Sequence, residues 1–586
     1  AITLASVGQG GGDNDIGALT VNAGDSSNPI SLTADISANG NIEFTNTSEL
    51  DIAAGVDITT TGSSDILANT GVTAIDFSDG AAGTNIFTSG QDITFGAALT
   101  DSGAGPATIT LAPSRNLTLA GATLDGGSNP TLDINIGTSA AGTLTFGTAA
   151  VSAGSIDIDG SSDDDTVDID QDLTALVGDL DIAGVSAINI DGSAVRTIQS
   201  AGALVLNTAS ADIVIDNGSS TVTIQNTSGD AAVVLSKNIT AAGENALNIN
   251  STGNITVAGI DLYNATSGGA LTMNVDSNDG AAGVITVNGN WEVGQIDING
   301  GTTANSFDVT GAYTLTSKAG GIEIADGGDI DLVLSGSGVT AVITNDDATS
   351  PDPDVVLGNV DGDNNGAGNE ASLTVNSTGN ITIGTVDLWD SGTGGGTLTA
   401  NFDTDGGEVE TLTLGSLIVG GLSLSGNGDE TYTSTGALAT KASGSNISLS
   451  NFGTVTFQDD VTSAGGLSIS DVTSVVLDTD TKGGNITLTA SSGDIAINTN
   501  IGAITASDSN NGHDVIFVTS GGTGDISLFG FDGDNAANAT NADLTLNAGG
   551  SSGVVSVGAI SDTGTVTVTQ SGGTTFSSTV GAAAVT

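Results

Sequence analysis

Apolar residues in this chain come as i, i+2 pairs set between small or polar residues. Leu19/Val21, Ile30/Leu32, Ile42/Phe44, Ile93/Phe95, Ile109/Leu111, Leu117/Leu119, Ile156/Ile158, Ile188/Ile190, Ile213/Ile215, Val222/Ile224, Ile486/Leu488 and Leu544/Leu546 all follow this form. Period two puts both members of a pair on one face of a strand. Each run lasts only about three to five residues before Gly, Asn, Asp or Ser clusters break it. Helical i, i+3, i+4 stripes are missing throughout, so the chain is expected to be all-β.

Strand length decides between all-β architectures. Sandwich strands usually run about five to ten residues and need large side chains to fill a core about 10 Å thick. Here the strands are shorter, and aromatics make up only 3% of the chain. A parallel β-solenoid (β-helix) fits better, because its narrow core takes one or two medium aliphatics per strand. Its corners take Gly, Asn and Asp, which tolerate positive φ. Thr and Asn can stack on their like in successive coils as hydrogen-bonded ladders. Coils of about 20–25 residues would give on the order of 25 turns. Tandem β-sandwich domains are the competing fold.

A duplication supports the repeat reading. Asn250-Ser-Thr-Gly-Asn254-Ile-Thr-Val257, followed by Asp261 and Tyr263, returns as Asn376-Ser-Thr-Gly-Asn380-Ile-Thr-Ile383, followed by Asp387 and Trp389. Leu247 maps to Leu373 (373 − 247 = 126), whereas Gly268 maps to Gly395 (395 − 268 = 127). Drifting spacing is what loop insertions on a stacked scaffold produce. The Asn and Gly residues of each copy are expected at corners, with Ile255/Val257 and Ile381/Ile383 in the core. The polar stretch from Asp163 to Asp172 reads as a decoration. The organisation expected is a solenoid over 1–344, an acidic Pro/Gly-rich loop or hinge over 345–371, and a continuing solenoid over 372–586 that repeats part of 245–345.

Charge narrows the partners. The 68 Asp and Glu face 6 Lys and Arg, for a formal charge of −62 over 586 residues. That field repels nucleic acid and anionic membrane surfaces and attracts cations. A hydrophobic content of 38% and regular apolar placement argue against disorder. There is no cysteine, hence no disulfide, thiolate metal site or thiol nucleophile. No run of about 18 apolar residues is present to span a bilayer as a helix. The scarcity of Lys and Arg leaves little for trypsin-like proteases and suits an extracellular setting. Ala1 reads as a processed N-terminus.

Asn254-Ile-Thr-Val257, Asn485-Ile-Thr-Leu-Thr489 and Ala542-Asp-Leu-Thr-Leu-Asn-Ala-Gly-Gly550 resemble the repeats of filamentous-haemagglutinin-like adhesins and β-strand-repeat exoproteins of bacteria. The resemblance covers most of the chain in texture and rests on composition. It implies secretion, a right-handed parallel β-helix and a structural or adhesive role. The chain departs from the haemagglutinin group in showing no recognisable secretion-domain motif, which leaves the secretion route open.

Candidate chemistry is sparse. Asp361, Asp363, Asn365 and Gly366 match the first half of an acidic calcium loop, with Glu370 lying two positions before the usual bidentate ligand. Shorter clusters at Asp276, Asn278 and Asp279, at Asp403 and Asp405, and at Asp532 and Asp534 are further candidate calcium ligands. Each reads equally well as a solvated acidic turn. The segment Gly549–Gly553 spells Gly-x-Ser-x-Gly around Ser551, a pattern expected by chance in a Ser/Gly-rich chain. A polysaccharide-active enzyme is a remote alternative, since the six basic residues are scattered singly. Tyr263, Trp291, Tyr313, Trp389 and Tyr432 are the rings that could stack on sugars or cover coil corners. Asn-x-Ser/Thr sequons are numerous, and Thr565-Val-Thr567-Val-Thr569 would suit a flat ice-binding face or plain strand alternation. The leading expectation is a secreted structural protein of a fibre, sheath, surface layer or matrix that self-associates end to end. An adhesin holding glycans or cells through side loops is the second.

Overall fold

The computed structural model describes the chain except residues 6, 8–15, 79–82, 103–106, 127–128, 162–163, 217, 265–266, 279, 302–303, 326–329, 337, 348–351, 363–369, 390–393, 403–408, 500–501, 503, 508–512, 522 and 534–540. Strands account for 57% of the residues and helix for 1%, and parallel coils stack into a β-solenoid of about 20 turns. The chain divides into two compact units. One comprises Ala1–Gly289 with Gly300–Asn305, the other Asn290–Asn299 with Ser306–Thr586.

Within each unit most strands pair in parallel with the third strand before and the third after, so a typical coil contributes three strands. In the first unit one such stack runs through Ile42–Thr45, Ile66–Ala68, Ile93–Phe95, Leu117–Leu119, Thr143–Phe146 and Thr166–Ile169. In the second, Thr411–Leu414, Thr431–Ser434, Thr454–Phe457 and Ser474–Leu477 stack in the same way. Parallel pairing between successive coils replaces the hairpins that tandem sandwiches would need. Coils are more variable than expected. Thr411 aligns with Thr431 (431 − 411 = 20), whereas Thr340 aligns with Ser372 (372 − 340 = 32). Insertions at corners lengthen the coil without disturbing the ladder, which is why there are fewer turns than a uniform short coil predicts.

The period-two pattern is carried into burial. Ile42, Ile66, Ile93, Leu117, Leu144, Val167, Ile188, Ile213 and Ile239 form one inward column, each at most 1% exposed. Burying such a side chain contributes roughly 1.5–3 kcal/mol, and columns of this kind repeat the gain coil after coil. Ile255, Val257, Ile381 and Ile383 lie in the core as expected. Rings fill wider places. Phe87 stands edge-on between Phe77 and Phe95, at centroid distances of 6.0 and 5.4 Å.

Three expectations need correction. Asn250 and Asn376 are not corner residues; they end strands Leu247–Asn250 and lie within Ser372–Ser377, facing outward. There they join amide ladders. Asn274 Nδ2 donates to Asn250 Oδ1 at 2.5 Å and Asn250 Nδ2 to Gln225 Oε1 at 3.3 Å, while Asn401 Nδ2 donates to Asn376 Oδ1 at 2.9 Å. The stretch from Asp163 to Asp172 is not a decoration either. It contains strand Thr166–Ile169, and the buried Asp165 carboxylate accepts the N–H groups of Gly142 and Ser161 at 2.7 and 2.9 Å. Finally, the stretch 345–371 holds strands Val355–Leu357 and Val360–Gly362, both in register with neighbouring coils of the second unit.

Candidate functional site

Acidic and amide side chains at coil corners do structural work that composition alone disguises. An Asp or Asn immediately before a strand accepts the backbone N–H of the matching residue one coil on. Asn41 takes the N–H of Asp65 (3.0 Å), Asp65 that of Asp92 (3.2 Å), Asp92 that of Asn116 (3.1 Å) and Asn116 that of Thr143 (3.0 Å). The second unit repeats the device: Asn380 with Thr411, Asp494 with Asp525 and Asp525 with Val554, each at 2.8 Å. Corners are where the ladder leaves backbone donors unpaired, and a short side-chain oxygen satisfies them. The signal was present in sequence as recurring Gly-Asn-Ile and Gly-Asp-Ile triplets at Gly253–Ile255, Gly379–Ile381, Gly484–Ile486, Gly493–Ile495 and Gly524–Ile526.

Other carboxylates face one another. Asp133, Asp157 and Asp181 lie in register on three stacked strands of the first unit, with Asp159 two residues beyond Asp157 on the same face. Burial, followed by the charges of Asp159, Asp133 and Asp181, holds Asp157 above the usual carboxylate range. Burial, then Asp159 and Asp179, does the same to Asp181, whose Oδ1 is buried without a hydrogen-bond partner. The Arg115 guanidinium has the opposite effect on Asp92, hydrogen-bonding it and holding its carboxyl below the usual range.

Of the candidate calcium ligands, Asp276, Asn278, Asp361, Glu370 and Asp532 lie among the described residues. Asp361 is an exposed strand residue in register with Asp387, and Glu370 is exposed against Gly394. Asp276 is buried at φ 53° and uses Oδ1 to accept the N–H of Gly280 at 2.7 Å; Asn278 accepts the same N–H at 3.1 Å. Asp532 ends strand Ile526–Asp532. Asp279, Asp363, Asn365, Asp403, Asp405 and Asp534 lie outside the described residues. Among the described residues no three ligand-type side chains converge on a point. Ser551 leads into strand Val554–Gln570 rather than the helix a nucleophile elbow needs.

The rings divide clearly. Trp291 and Tyr432 are core residues, 1% and 0% exposed, so sugar stacking at these two is excluded. Tyr313 is half-buried and folds over Gly311. Tyr263 and Trp389 are half-buried at equivalent positions of the duplicated unit, and each opens an antiparallel arch that interrupts the parallel coil. Tyr263 pairs with Gly268, and Trp389 with Gly395. The arches share their hydrogen bonds. Asp261 Oδ1 accepts the Tyr263 N–H at 3.2 Å and Asp387 Oδ1 the Trp389 N–H at 3.1 Å. Gly269 N–H donates to the Leu262 carbonyl at 3.0 Å and Gly396 N–H to that of Leu388 at 2.9 Å.

Two features of the arches escaped sequence reading. An exposed glutamate precedes each arch at the same offset, Glu244 in the first copy and Glu370 in the second (370 − 244 = 126). In the second copy a Cβ at Gly394 would come within 2.5 Å of Glu370 Oε1, and one at Gly395 within 2.5 Å of Trp389 Cε3. The bare glycine backbone thus leaves room for the glutamate at Gly394 and for the indole at Gly395.

No family model, curated protein or solved structure matches the chain.

Proposed function

We propose that this chain is a structural element of an extracellular fibre, sheath, surface layer or matrix. The observation that carries this reading is the long parallel ladder, closed inside by aliphatic columns and stitched at its corners by Asp and Asn side chains. Such a stack resists extension because each coil shares backbone hydrogen bonds with the next along its three strands. A parallel coil offers the same backbone donors and acceptors to whatever follows it, so a second copy can add end to end in the geometry of the chain itself. The charge of −62 opposes lateral clumping, and calcium or another divalent cation is the counter-ion that would permit bundling.

Electron microscopy of purified protein tests the proposal. Rods or end-to-end filaments are expected, lengthening as protein concentration rises. A population of compact, monodisperse globules at every concentration would refute it.

A further inference from the structure

We propose that one face of the second unit binds ice. Six strands stack there in register: Ile381–Ile383, Thr411–Leu414, Thr431–Ser434, Thr454–Phe457, Ser474–Leu477 and Ile504–Ala506. Inward they bury Ile381, Leu412, Tyr432, Val455, Val475 and Ile504, each 0% exposed. The alternate residues therefore point outward. Thr382, Thr413, Thr433, Thr456, Val476 and Thr505 form one outward column, each the register partner of the next. Thr411, Thr431, Thr454 and Ser474 form a second column beside it, so adjacent coils repeat Thr-x-Thr. Thr382 is exposed and the others are partly exposed.

Charge and hydrogen bonding set this face apart. The chain has 68 Asp and Glu, yet neither column contains one. Val356 extends the first column by another coil, and carboxylates return only beyond it at Glu323 and, at the opposite end, at Asp532. On the first unit, by contrast, Asp133, Asp157 and Asp181 stand in register. Thr454 Oγ1 and Ser474 Oγ lie 3.1 Å apart in a mutual hydrogen bond. The other threonine hydroxyls of the two columns have no partner among the described residues. The stretch Thr565-Val-Thr567-Val-Thr569 does not extend into such a grid, because Thr567 stacks on Thr545 and Thr545 on Ile516.

The chemistry of the face selects water in an ordered form. Its columns hold no ring to stack on a sugar, since Tyr432 points inward, no cation for an anionic polymer and no carboxylate for a metal ion. A protein partner would gain most from aromatic or arginine anchors, which the columns also lack. What they offer is a grid of hydroxyls that both donate and accept, each with a methyl group beside it. The backbone sets the grid at about 4.8 Å between coils and about 6.6 Å along a strand. Oxygen rows on an ice face repeat at comparable intervals. A β-branched side chain has few χ1 choices, so the grid loses little freedom when water freezes against it. Liquid water gains nothing from such regularity, whereas a crystal can match it row by row.

The test measures thermal hysteresis of the full chain around a seed crystal, and grain growth of ice annealed in sucrose solution. The chain should hold the seed unchanged below its melting point and keep the grains small. Polyglutamate at matched charge concentration, which acts only colligatively, should do neither. Thr433→Tyr sets a bulky ring in the middle of the first column and should lose most of both effects. Thr399→Tyr sets the same ring outward on a different stack of strands and should retain them. Tyrosine suits strands, and both variants should keep the circular-dichroism spectrum of the parent. If either does not, Thr456→Tyr and Thr374→Tyr, one coil away on the same two stacks, give the same comparison. The proposal is overturned if the parent shows neither effect, if Thr433→Tyr is as active as the parent, or if Thr399→Tyr loses as much. Filament formation is read above freezing by microscopy, so neither result decides the other.

Discussion

Asp494 Oδ1 accepts the backbone N–H of Asp525 at 2.8 Å, and Asp525 in turn accepts that of Val554 at 2.8 Å. The two bonds tie three successive coils through side chains that look, in composition, like surplus charge. The carbonyl oxygen of an amide can make the same bond, as Asn380 does with Thr411. Asp494→Asn should therefore leave the corner intact, whereas Asp494→Ala should cost about 1 kcal/mol locally. A long repeat array does not melt as one two-state unit, so a global melting temperature is a blunt probe. Hydrogen exchange at the Asp525 amide is the direct one: protection should fall in Asp494→Ala and persist in Asp494→Asn. Equal protection in both variants would remove the stitching role.

The acid ladder of the first unit gives a pH dependence with a defined sign. Asp157 and Asp181 have folded-state pKa values raised above the ordinary 3.8, by burial first and by neighbouring carboxylates second. Above the raised values the folded state carries the full repulsion. As pH falls through them toward 3.8, the folded chain takes up protons before the unfolded chain does, and stability rises. Asp92 and Asp191 act the other way. Hydrogen bonds from Arg115 lower the first, and hydrogen bonds from Ser193, with a further one from Arg196, lower the second. Their contribution is complete above 3.8 and is lost as pH falls through the lowered values. A melting curve followed from pH 7 downward should improve, pass a maximum near the ordinary carboxylate range and then decline. Asp157→Asn should raise the melting temperature at pH 7 and flatten the improvement; a variant as pH-sensitive as the parent would contradict this.

The cores of the coils were legible because period two is a local signal: Ile255 and Val257 declare their face within three residues. The corner stitches were not, because an acceptor such as Asp92 and its donor, the amide of Asn116, lie 24 residues apart. Triplets such as Gly493–Ile495 were in view, but a carboxylate in a chain of charge −62 reads as solvated until its partner is placed. Coil length was misjudged for a related reason, since a corner insertion leaves no mark on the strands around it. At the arches the duplication of Tyr263 and Trp389 was plain. The reversal of chain direction that carries each ring was not, because Tyr263–Gly268 and Trp389–Gly395 have the same apolar and glycine content as an ordinary corner.

Phe87 offers a test of packing in the wider part of the first unit. It is wholly buried and meets Phe77 and Phe95 nearly edge-on, with interplanar angles of 86° and 87°. Phe87→Ala removes both contacts and leaves a cavity in a core of fixed coil spacing, so a loss of about 3–5 kcal/mol is expected. Phe87→Leu fills most of the volume and should cost less than half as much. Amide exchange in strands Ile58–Thr60, Thr84–Ser89 and Thr108–Pro113 should show the loss locally. Uniform loosening along the whole chain would mean the coils are coupled more tightly than neighbour stacking implies.

Calcium dependence can be settled without knowing which carboxylates take part. If a cation bridges acidic corners of the folded chain, millimolar calcium should raise the melting temperature and excess chelator should lower it. A concentration one hundred times the dissociation constant is worth about 2.7 kcal/mol. Sodium chloride at matched ionic strength is the comparison, because general screening relieves the charge of −62 without any site. An equal response to calcium and to matched sodium would show screening alone, and the bridging role would fall.

Gly396 tests whether the arch has one permitted backbone path. Its N–H donates to the Leu388 carbonyl at 2.9 Å, and a Cβ at this position would strike the backbone oxygen of Ala371. Backbone atoms cannot step aside as a flexible side chain would, so Gly396→Ala must open the arch or shift strand Thr397–Phe402, which begins one residue later. Gly269→Ala should act equivalently in the first copy, because the same collision occurs there with Asn245. By contrast, Gly444 lies in open space at a corner with φ 77°, and alanine there meets only the cost of positive φ, about 1 kcal/mol. Limited proteolysis with an enzyme that cuts beside aromatic residues should therefore cleave near Trp389 faster in Gly396→Ala than in the parent or in Gly444→Ala. Unchanged cleavage would mean that the arch accommodates a methyl group, and that the close approach of its two strands is not what fixes the ring.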